Sequence, residues 1–372
     1  MRPAIHSIDV GTAEFALPEP IHHGPWIIRS RQYALVIVRD RYGNAGWASS
    51  LTRGVPLKDV VESILAPIYL GSSPHDASAT YRAALASNWA ALSWGAGLRA
   101  LSLVDLASWD LAARQTGEGI AELLGGQSRA MPAVTVAGYP PEVTGASLLA
   151  PLEVLTPEAL RFIKVPASLS SETTLYRLDA IRNRFPMSEI IIDVNGAFLS
   201  AVEAHSASKV WAPLLWLEDP FRPMACLDEL ALFRGLSNIP IAMGDEHSSA
   251  YFPEALLSAG LDVVRLDLTC MGGISRLKSL RSRLDEMESV TVSTHMYPHI
   301  HQPVMSALMP NAIVEWGLPG LGIDPLADML PAPSFDSDGL HFPEAGPGFG
   351  EDLPDSVYEV FAQCSLSCIG PS

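Results

Sequence analysis

Seven ionisable residues recur at similar places along the middle of this chain: Lys164, Asp193, Glu218, Asp245, Asp267, His295 and Glu315. Each ends or directly follows a short apolar run of the kind that forms a buried strand, as in "LLWLEDPF" (214–221), where four apolar residues lead into Glu218 and Asp219 and a proline then stops the strand. A single charge at a strand end is ordinary, because strands must emerge into water; seven in succession are not. Asp193, Glu218 and Asp245 end neighbouring strands, so in a closed barrel their carboxylates converge. Like charges that close raise one another's pKa and repel unless a cation sits among them. An all-oxygen ligand set suits a hard ion, Mg²⁺ before Mn²⁺ or Ca²⁺. The alternative reading is that each acid caps a helix or pairs with an arginine.

These residues need a scaffold that brings strand ends to one place. The runs "AVTVAG" (133–138), "RFIKV" (161–165), "IIIDVN" (190–195), "LLWLE" (214–218), "IPIAMG" (239–244), "DVVRLD" (262–267), "SVTVST" (289–294) and "AIVEW" (312–316) read as strands. Amphipathic segments such as "ETTLYRLDAIRNRF", "LDELALFRGL" and "GISRLKSLRSRLDEM" fill the gaps as helices. Eight strand and helix units predict an α/β fold, a modified TIM (β/α)-barrel, in which all strand ends open on one mouth. The first part of the chain has another texture. "YALVIVRD" (33–40) reads as a strand, "RYGNAGWAS" as a turn into the next, and "LRALSLVDLASWDLAARQTG" as a helix stopped by Gly117. Its acids, Asp105 and Asp110, are expected to cap or pair within the fold rather than catalyse. The division expected is an N-terminal α+β capping domain over 1–128, a catalytic barrel over 129–330, and a turn-rich C-terminal segment over 331–372 that packs back on the capping domain.

Composition bounds the function. The 372 residues carry a formal net charge of −17, which argues against nucleic acid as a partner, since binding it requires a basic face. No apolar run reaches the roughly 20 residues of a membrane span, and no basic segment followed by an apolar core opens the chain. A soluble, cytoplasmic protein is expected. The four cysteines lack paired CxxC spacing and read as buried or incidental thiols rather than a zinc site.

Several motifs, taken together and in order, carry a resemblance. "LVDLASWDLAARQTGEGIAELLGG" (103–126), "IIDVNGAF", "WLEDP", "IPIAMGDE", "LDLTCMGGISR", "STHMYPHIHQ" and "AIVEW" resemble the enolase superfamily, in the branch of mandelate racemase and muconate lactonizing enzyme, over nearly the whole chain. The resemblance implies abstraction of the proton α to a carboxylate, with Mg²⁺ held by Asp193, Glu218 and Asp245. It implies that Lys164 and His295 transfer protons on opposite faces of the substrate and that Asp267 orients the imidazole and raises its basicity. Glu315 is expected to hydrogen-bond the substrate carboxylate, which requires it to be partly protonated. Asn195 and Glu246 are expected beside the ligands as substrate or supporting contacts.

Two details stay open. The family's second strand usually carries Lys-x-Lys, whereas "RFIKVPA" has one lysine. With 29 residues from Lys164 to Asp193, the register favours Lys164 as the second lysine and base, with Phe162 in place of the first and against the substrate; the alternative is that Lys164 is the first lysine and Pro166 stands in place of the base. "GDE" sets Asp245 and Glu246 side by side as candidates for the third ligand, and the register favours Asp245. His22, His23 and Trp26 of "EPIHHGPW" fall in the segment that in the family reaches over the mouth; His22 and Trp26 are candidate substrate contacts, with a solvated loop as the alternative. Tyr139, after the first strand, is a further candidate. His299 and His301 are read as pocket lining or helix-start residues. The expected substrate is a small carboxylate and the expected assembly a homo-oligomer. The expected reaction is dehydration of an acid sugar to a 2-keto-3-deoxy acid, with racemisation or epimerisation of an α-substituted acid as the alternative and a non-catalytic scaffold as a remote third.

Overall fold

A computed structural model of the chain describes residues 3–23, 26–222, 226–287, 289–342, 346–350 and 352–370, with the backbone alone at 22, 23 and 226. The amino-terminal part builds an antiparallel sheet from strands β1 (Ile5–His23), β2 (Trp26–Asp40) and β3 (Ala45–Leu51). β2 is central, paired on both sides, and "YALVIV" is buried on both faces of the sheet rather than in alternation. The turn after it is held by Asp40, whose carboxylate accepts the backbone N–H groups of Tyr42 (2.8 Å) and Asn44 (3.1 Å).

The barrel strands are β4 (Ala133–Val136), β5 (Phe162–Pro166), β6 (Glu189–Asp193), β7 (Trp216–Glu218), β8 (Ile241–Met243), β9 (Val263–Leu266), β10 (Thr291–Thr294) and β11 (Val314–Gly317). They pair in parallel in the order β10-β9-β8-β7-β6-β5-β4-β11. A parallel bridge between Ser293 and Ile313 closes the ring. All eight expected runs are strands, each trimmed or shifted by a few residues. The helices follow as the amphipathic segments indicate, at Ser171–Arg184, Cys226–Leu236 and Gly273–Asp285. Ser170 caps the first of these by accepting the Thr173 N–H at 3.2 Å.

The helix Gly95–Thr116 joins the two parts. It is buried on all sides between Gly97 and Ala113, and Gly117 ends it in the left-handed region at φ 73°. The polar residues on so buried a helix must find partners, and they tie it to other elements. Asp105 accepts the backbone N–H of Ser275 (3.0 Å) and the Ser275 hydroxyl (2.5 Å), capping the barrel helix Gly273–Asp285. A Cβ at Gly273 would stand 2.4 Å from that carboxylate, so the contact requires glycine there. Asp110 accepts from the backbone of Trp47 and of Phe349, each at 2.9 Å. Both acids act within the fold, as expected.

After the barrel come a short hairpin, β12 (Ser334–Asp336) with β13 (Gly339–His341), and a final strand, β14 (Ser367–Ile369). β14 adds to the edge of the amino-terminal sheet, with Ile8 opposite Ile369. The tip of the β1–β2 hairpin reaches the barrel, where Leu17 and Ile21 pack with Val136, Tyr139 and Ile323. The segment expected as a loop over the mouth is thus a continuation of two strands, with Ile21 opposite Ile28. Among the described residues, no helix is long and apolar enough to cross a membrane.

Candidate active site

Alternation along the strands decides which side chains reach the mouth. The inner floor of the barrel is a cluster of Val134, Phe162, Ile191, Trp216, Ala242 and Val263. Two residues further along the same face come Val136, Lys164, Asp193, Glu218 and Arg265. Four of these six strands thus present an apolar plug below and a charged side chain above, the exceptions being Val136 on β4 and Gly244 after β8. Phe162, expected to touch substrate, belongs to the lower layer because Lys164 belongs to the upper one; it packs in the floor, with the Arg161 guanidinium 4.8 Å from its ring centre. That expectation is corrected.

Above the floor lies a cavity of about 610 Å³. Lys164, Asp193, Asn195, Asp219, Asp245, Glu246, His295 and Glu315 line it from the barrel; Trp26, Ile28, Arg31 and Arg53 line it from the capping domain. Tyr139 lines it too, buried, while Trp26 is 54% exposed at its rim. The side chain of His22 lies outside the described residues. His299 and His301 occupy the first turn of the helix Pro298–Leu308, beside the site and not in it. His301 is consumed structurally, Nε2 accepting the Leu268 N–H at 3.0 Å and Nδ1 lying 2.7 Å from the Met296 carbonyl.

The acids and bases form one connected network. Lys164 Nζ stands 2.5 Å from Glu218, 2.6 Å from Glu315 and 3.5 Å from Asp193. Arg265, fully buried, donates to Asp245 at 2.9 Å and to the Ser293 hydroxyl at 2.8 Å; it lies 3.3 Å from Glu218 and also pairs with Glu315. Trp216 Nε1 donates to the other Glu218 oxygen at 2.9 Å, so floor and mouth are locked together. Arg265 did not figure among the expected site residues, although its signal was present: in "DVVRLD" it shares a strand face with Asp267. The reading in which the acids pair with an arginine holds for Glu218 and Asp245 in this state.

Burial raises Glu218 to about 7 against the pull of Arg265 and Lys164. Asp193 is raised by burial, with Lys164 opposing, and Asp219 is driven well up by burial and by Asp245 and Asp193. Glu315 goes the other way: burial pushes it up, but Arg265 and Lys164 bring it down to about 2. Those two cations favour its ionised form, whereas the hydrogen bond expected to a substrate carboxylate needs its protonated form. Lys164 is held as an ammonium: burial lowers its pKa, but Glu218, Glu315 and Asp193 together raise it above the ordinary lysine value.

Across the ring, three strands away through β4 and β11, His295 Nδ1 lies 3.0 Å from Asp267 and its Nε2 lies 3.7 Å from Asp245. Burial lowers its pKa, but Asp245, the bond to Asp267 and Glu246 raise it to about 9. Asp267 is itself fixed by the backbone N–H (2.8 Å) and hydroxyl (2.7 Å) of Thr269. Glu246 lies at the domain boundary, bonded to Arg53 Nε at 2.6 Å and 3.5 Å from Arg99. It is occupied by the capping domain, whereas Asp245 faces the acids of the barrel. Asn195 is left-handed at φ 51°, with its N–H donated to Asp193 at 2.9 Å.

On the barrel's side, with Glu246 set against Arg53 and Arg31 apart on the roof, five carboxylates, Asp193, Glu218, Asp219, Asp245 and Glu315, stand around two permanent cations, Lys164 and Arg265. The surplus and its hard oxygen donors fit a divalent cation. Among the described residues no three His, Cys, Asp or Glu side chains are gathered into a metal cage, because the two basic side chains take up the same oxygens.

Residues 7–125 match the N-terminal domain family of mandelate racemase and muconate lactonizing enzyme, and residues 154–357 match the enolase C-terminal domain-like family. The chain is 25% identical to a D-galactarolactone cycloisomerase of Agrobacterium fabrum over 76% of each chain. It is 25% identical to a D-galactonate dehydratase family member of Catenulispora acidiphila, covering 88% of this chain and 84% of that one. A racemase from Streptomyces coelicolor A3(2), solved with bound magnesium, superposes with a TM-score of 0.81 at 19% identity over 97% of this chain and 99% of that one.

Proposed function

Because the chain belongs to the mandelate racemase and muconate lactonizing enzyme branch of the enolase superfamily, we propose that its barrel mouth removes the proton α to the carboxylate of a small acid. We further propose that the overall reaction is dehydration of an acid sugar to a 2-keto-3-deoxy acid. The relatives named above are a cycloisomerase, a member of a dehydratase family and a racemase, and this chain is an enzyme of the lyase or isomerase class. One observation carries the reading: the Asp267–His295 pair and Lys164 line one mouth from opposite sides of the barrel, with the carboxylates of Asp193, Asp245 and Glu315 beside them.

Asp193, Glu218 and Asp245 are the residues that would hold Mg²⁺. When bound, it offsets the carboxylate surplus and acts as a Lewis acid on the substrate carboxylate, where abstraction of the α-proton places a second negative charge. The chain's own groups do the rest. Lys164 rests as an ammonium and acts as a base only when its carboxylate partners are drawn to another cation, so ligand binding and proton abstraction are linked. His295 presents Nε2 to the mouth while Nδ1 is held by Asp267, which fixes the tautomer and keeps a proton available for a departing β-hydroxyl. That hydroxyl leaves as water with the transferred proton, and the resulting enol becomes the keto acid; no oxidant is needed.

A second reading, racemisation of an α-substituted acid, is favoured by the apolar wall of Trp26, Ile28, Tyr139 and Ile323. The test is to incubate the protein and Mg²⁺ with aldonic and aldaric acids and assay for 2-keto acid. Formation of keto acid, lost in Lys164→Ala and His295→Asn, is the expected outcome. If none forms while an α-substituted acid loses optical activity, dehydration is wrong and racemisation replaces it.

A further inference from the structure

Four arginines are buried among the described residues: Arg31, Arg99, Arg177 and Arg265. Three have partners that account for their burial. Arg265 holds the mouth carboxylates, Arg99 donates to the Leu51 carbonyl at 2.9 Å and sits 3.5 Å from Glu246, and Arg177 donates to the carbonyls of Pro166 and Gly138, each at 2.6 Å. Arg31 has none of this. It is 5% exposed, its Nε has no hydrogen-bond partner, and no described residue forms an ion pair or side-chain hydrogen bond with it. A buried guanidinium without an ion-pair partner is unfavourable, so a partner from outside the chain is its fitting complement.

Its position says what that is. Arg31 lies on β2, in the capping domain, and lines the same cavity as Lys164, Asp193 and His295. Floor groups come from the barrel and Arg31 comes from the roof. Tyr139 and Ile323 line the wall on its side, and Tyr139 is within its electrostatic reach. Asp324 also feels its charge but is beyond ion-pair distance, and its Oδ1 accepts from the Tyr33 hydroxyl (2.6 Å) and the Ala327 N–H (3.1 Å). The other guanidiniums at the cavity are differently placed: Arg53 is bound to Glu246, and Arg222 is exposed at the rim.

We infer that Arg31 receives a second carboxylate at the end of the substrate remote from the reacting one, so that the site selects a diacid over the corresponding monoacid. This rests on the function proposed above for locating the reacting carboxylate at the barrel floor. A guanidinium binds a carboxylate through two parallel N–H donors, and it is the side chain best suited to do so when buried. In a chain of net charge −17, a second anionic group would otherwise be repelled from the mouth.

The probe is a six-carbon aldaric acid against the aldonic acid of the same configuration, which differ only in a terminal carboxylate or alcohol. Binding to the Mg²⁺-loaded protein is measured by calorimetry and thermal shift, and 2-keto acid is assayed in parallel. The aldaric acid is expected to bind roughly 10- to 100-fold tighter. In Arg31→Gln that ratio collapses towards one, and in Arg31→Lys part of it survives. Equal affinities in the wild-type protein, or an unchanged ratio in Arg31→Gln, would overturn the inference. Should Arg31→Gln fail to fold, the wild-type ratio and Arg31→Lys decide. An aldonic acid 6-phosphate that outcompetes the aldaric acid shows the subsite to be for phosphate and overturns the diacid. Selective aldaric acid binding without keto acid leaves this subsite standing while the proposed dehydration fails.

Discussion

Arg265 changes how the mouth is understood residue by residue. Its single guanidinium is shared by Glu218, Asp245 and Glu315, and with Lys164 it draws Glu315 towards the ionised form. Replacing it by Met leaves those buried acids with Lys164 as their one close permanent cation, and removal of one partner from such a network costs about 3–5 kcal/mol. Arg265→Met should therefore lower the denaturation midpoint by that equivalent, and millimolar Mg²⁺ should raise the variant's melting temperature more than the wild type's, since a cation then replaces the missing charge. An equal response to Mg²⁺ in both proteins would mean that Arg265 and the ion do not share these oxygens. The positions of the acids were legible from sequence because each ends an apolar run. Their charge states were not: Lys164, Arg265 and Glu315 are far apart in the chain, and only barrel closure sets them side by side.

At the scale of elements, period-2 alternation explains both the success and the error in reading this site. The rule that puts Lys164 and Asp193 in the mouth also puts Phe162 and Ile191 in the floor, so Phe162 was placed in the wrong layer by treating it as a substituted lysine rather than by following the strand. The strands themselves were legible because β-branched runs end in charge; the extended β1–β2 hairpin was not, because "EPIHHGPW" is rich in turn residues. The helix Gly95–Thr116 carries a test of its own. Burial raises Asp105 to about 7, well above the roughly 3.9 of an unfolded chain, against the Ser275 hydrogen bonds that lower it. An acid whose folded pKa is raised contributes stability that is fully present below about pH 4 and is lost as pH rises through 7. Wild-type stability should fall relative to Asp105→Asn across that window, by up to about 1.4 kcal/mol per pH unit. Parallel stability curves for the two proteins from pH 4 to pH 8 would contradict the assignment.

Considered as a whole, the molecule is two folded parts sharing one cavity. The barrel supplies the network of acids and bases, and the capping domain supplies the roof, with Trp26, Ile28 and Arg31 above and Arg53 and Arg99 clamping Glu246 at the boundary. β14 pairs with β1, so the end of the described chain also belongs to the roof's sheet. The roof covers part of a mouth in which charge must be moved between Lys164, the carboxylates and His295. The central claim is that this mouth takes a proton from the carbon next to a carboxylate. It is tested most directly by incubating the protein in D₂O with Mg²⁺ and a panel of α-hydroxy acids and sugar acids, and following deuterium at the α-carbon by NMR in substrate and product. Incorporation should require Mg²⁺ and be lost when Lys164→Ala and His295→Asn are combined. Turnover of an acid in the panel with no deuterium gained at its α-carbon or in its product, or exchange undiminished in that double variant, would contradict it.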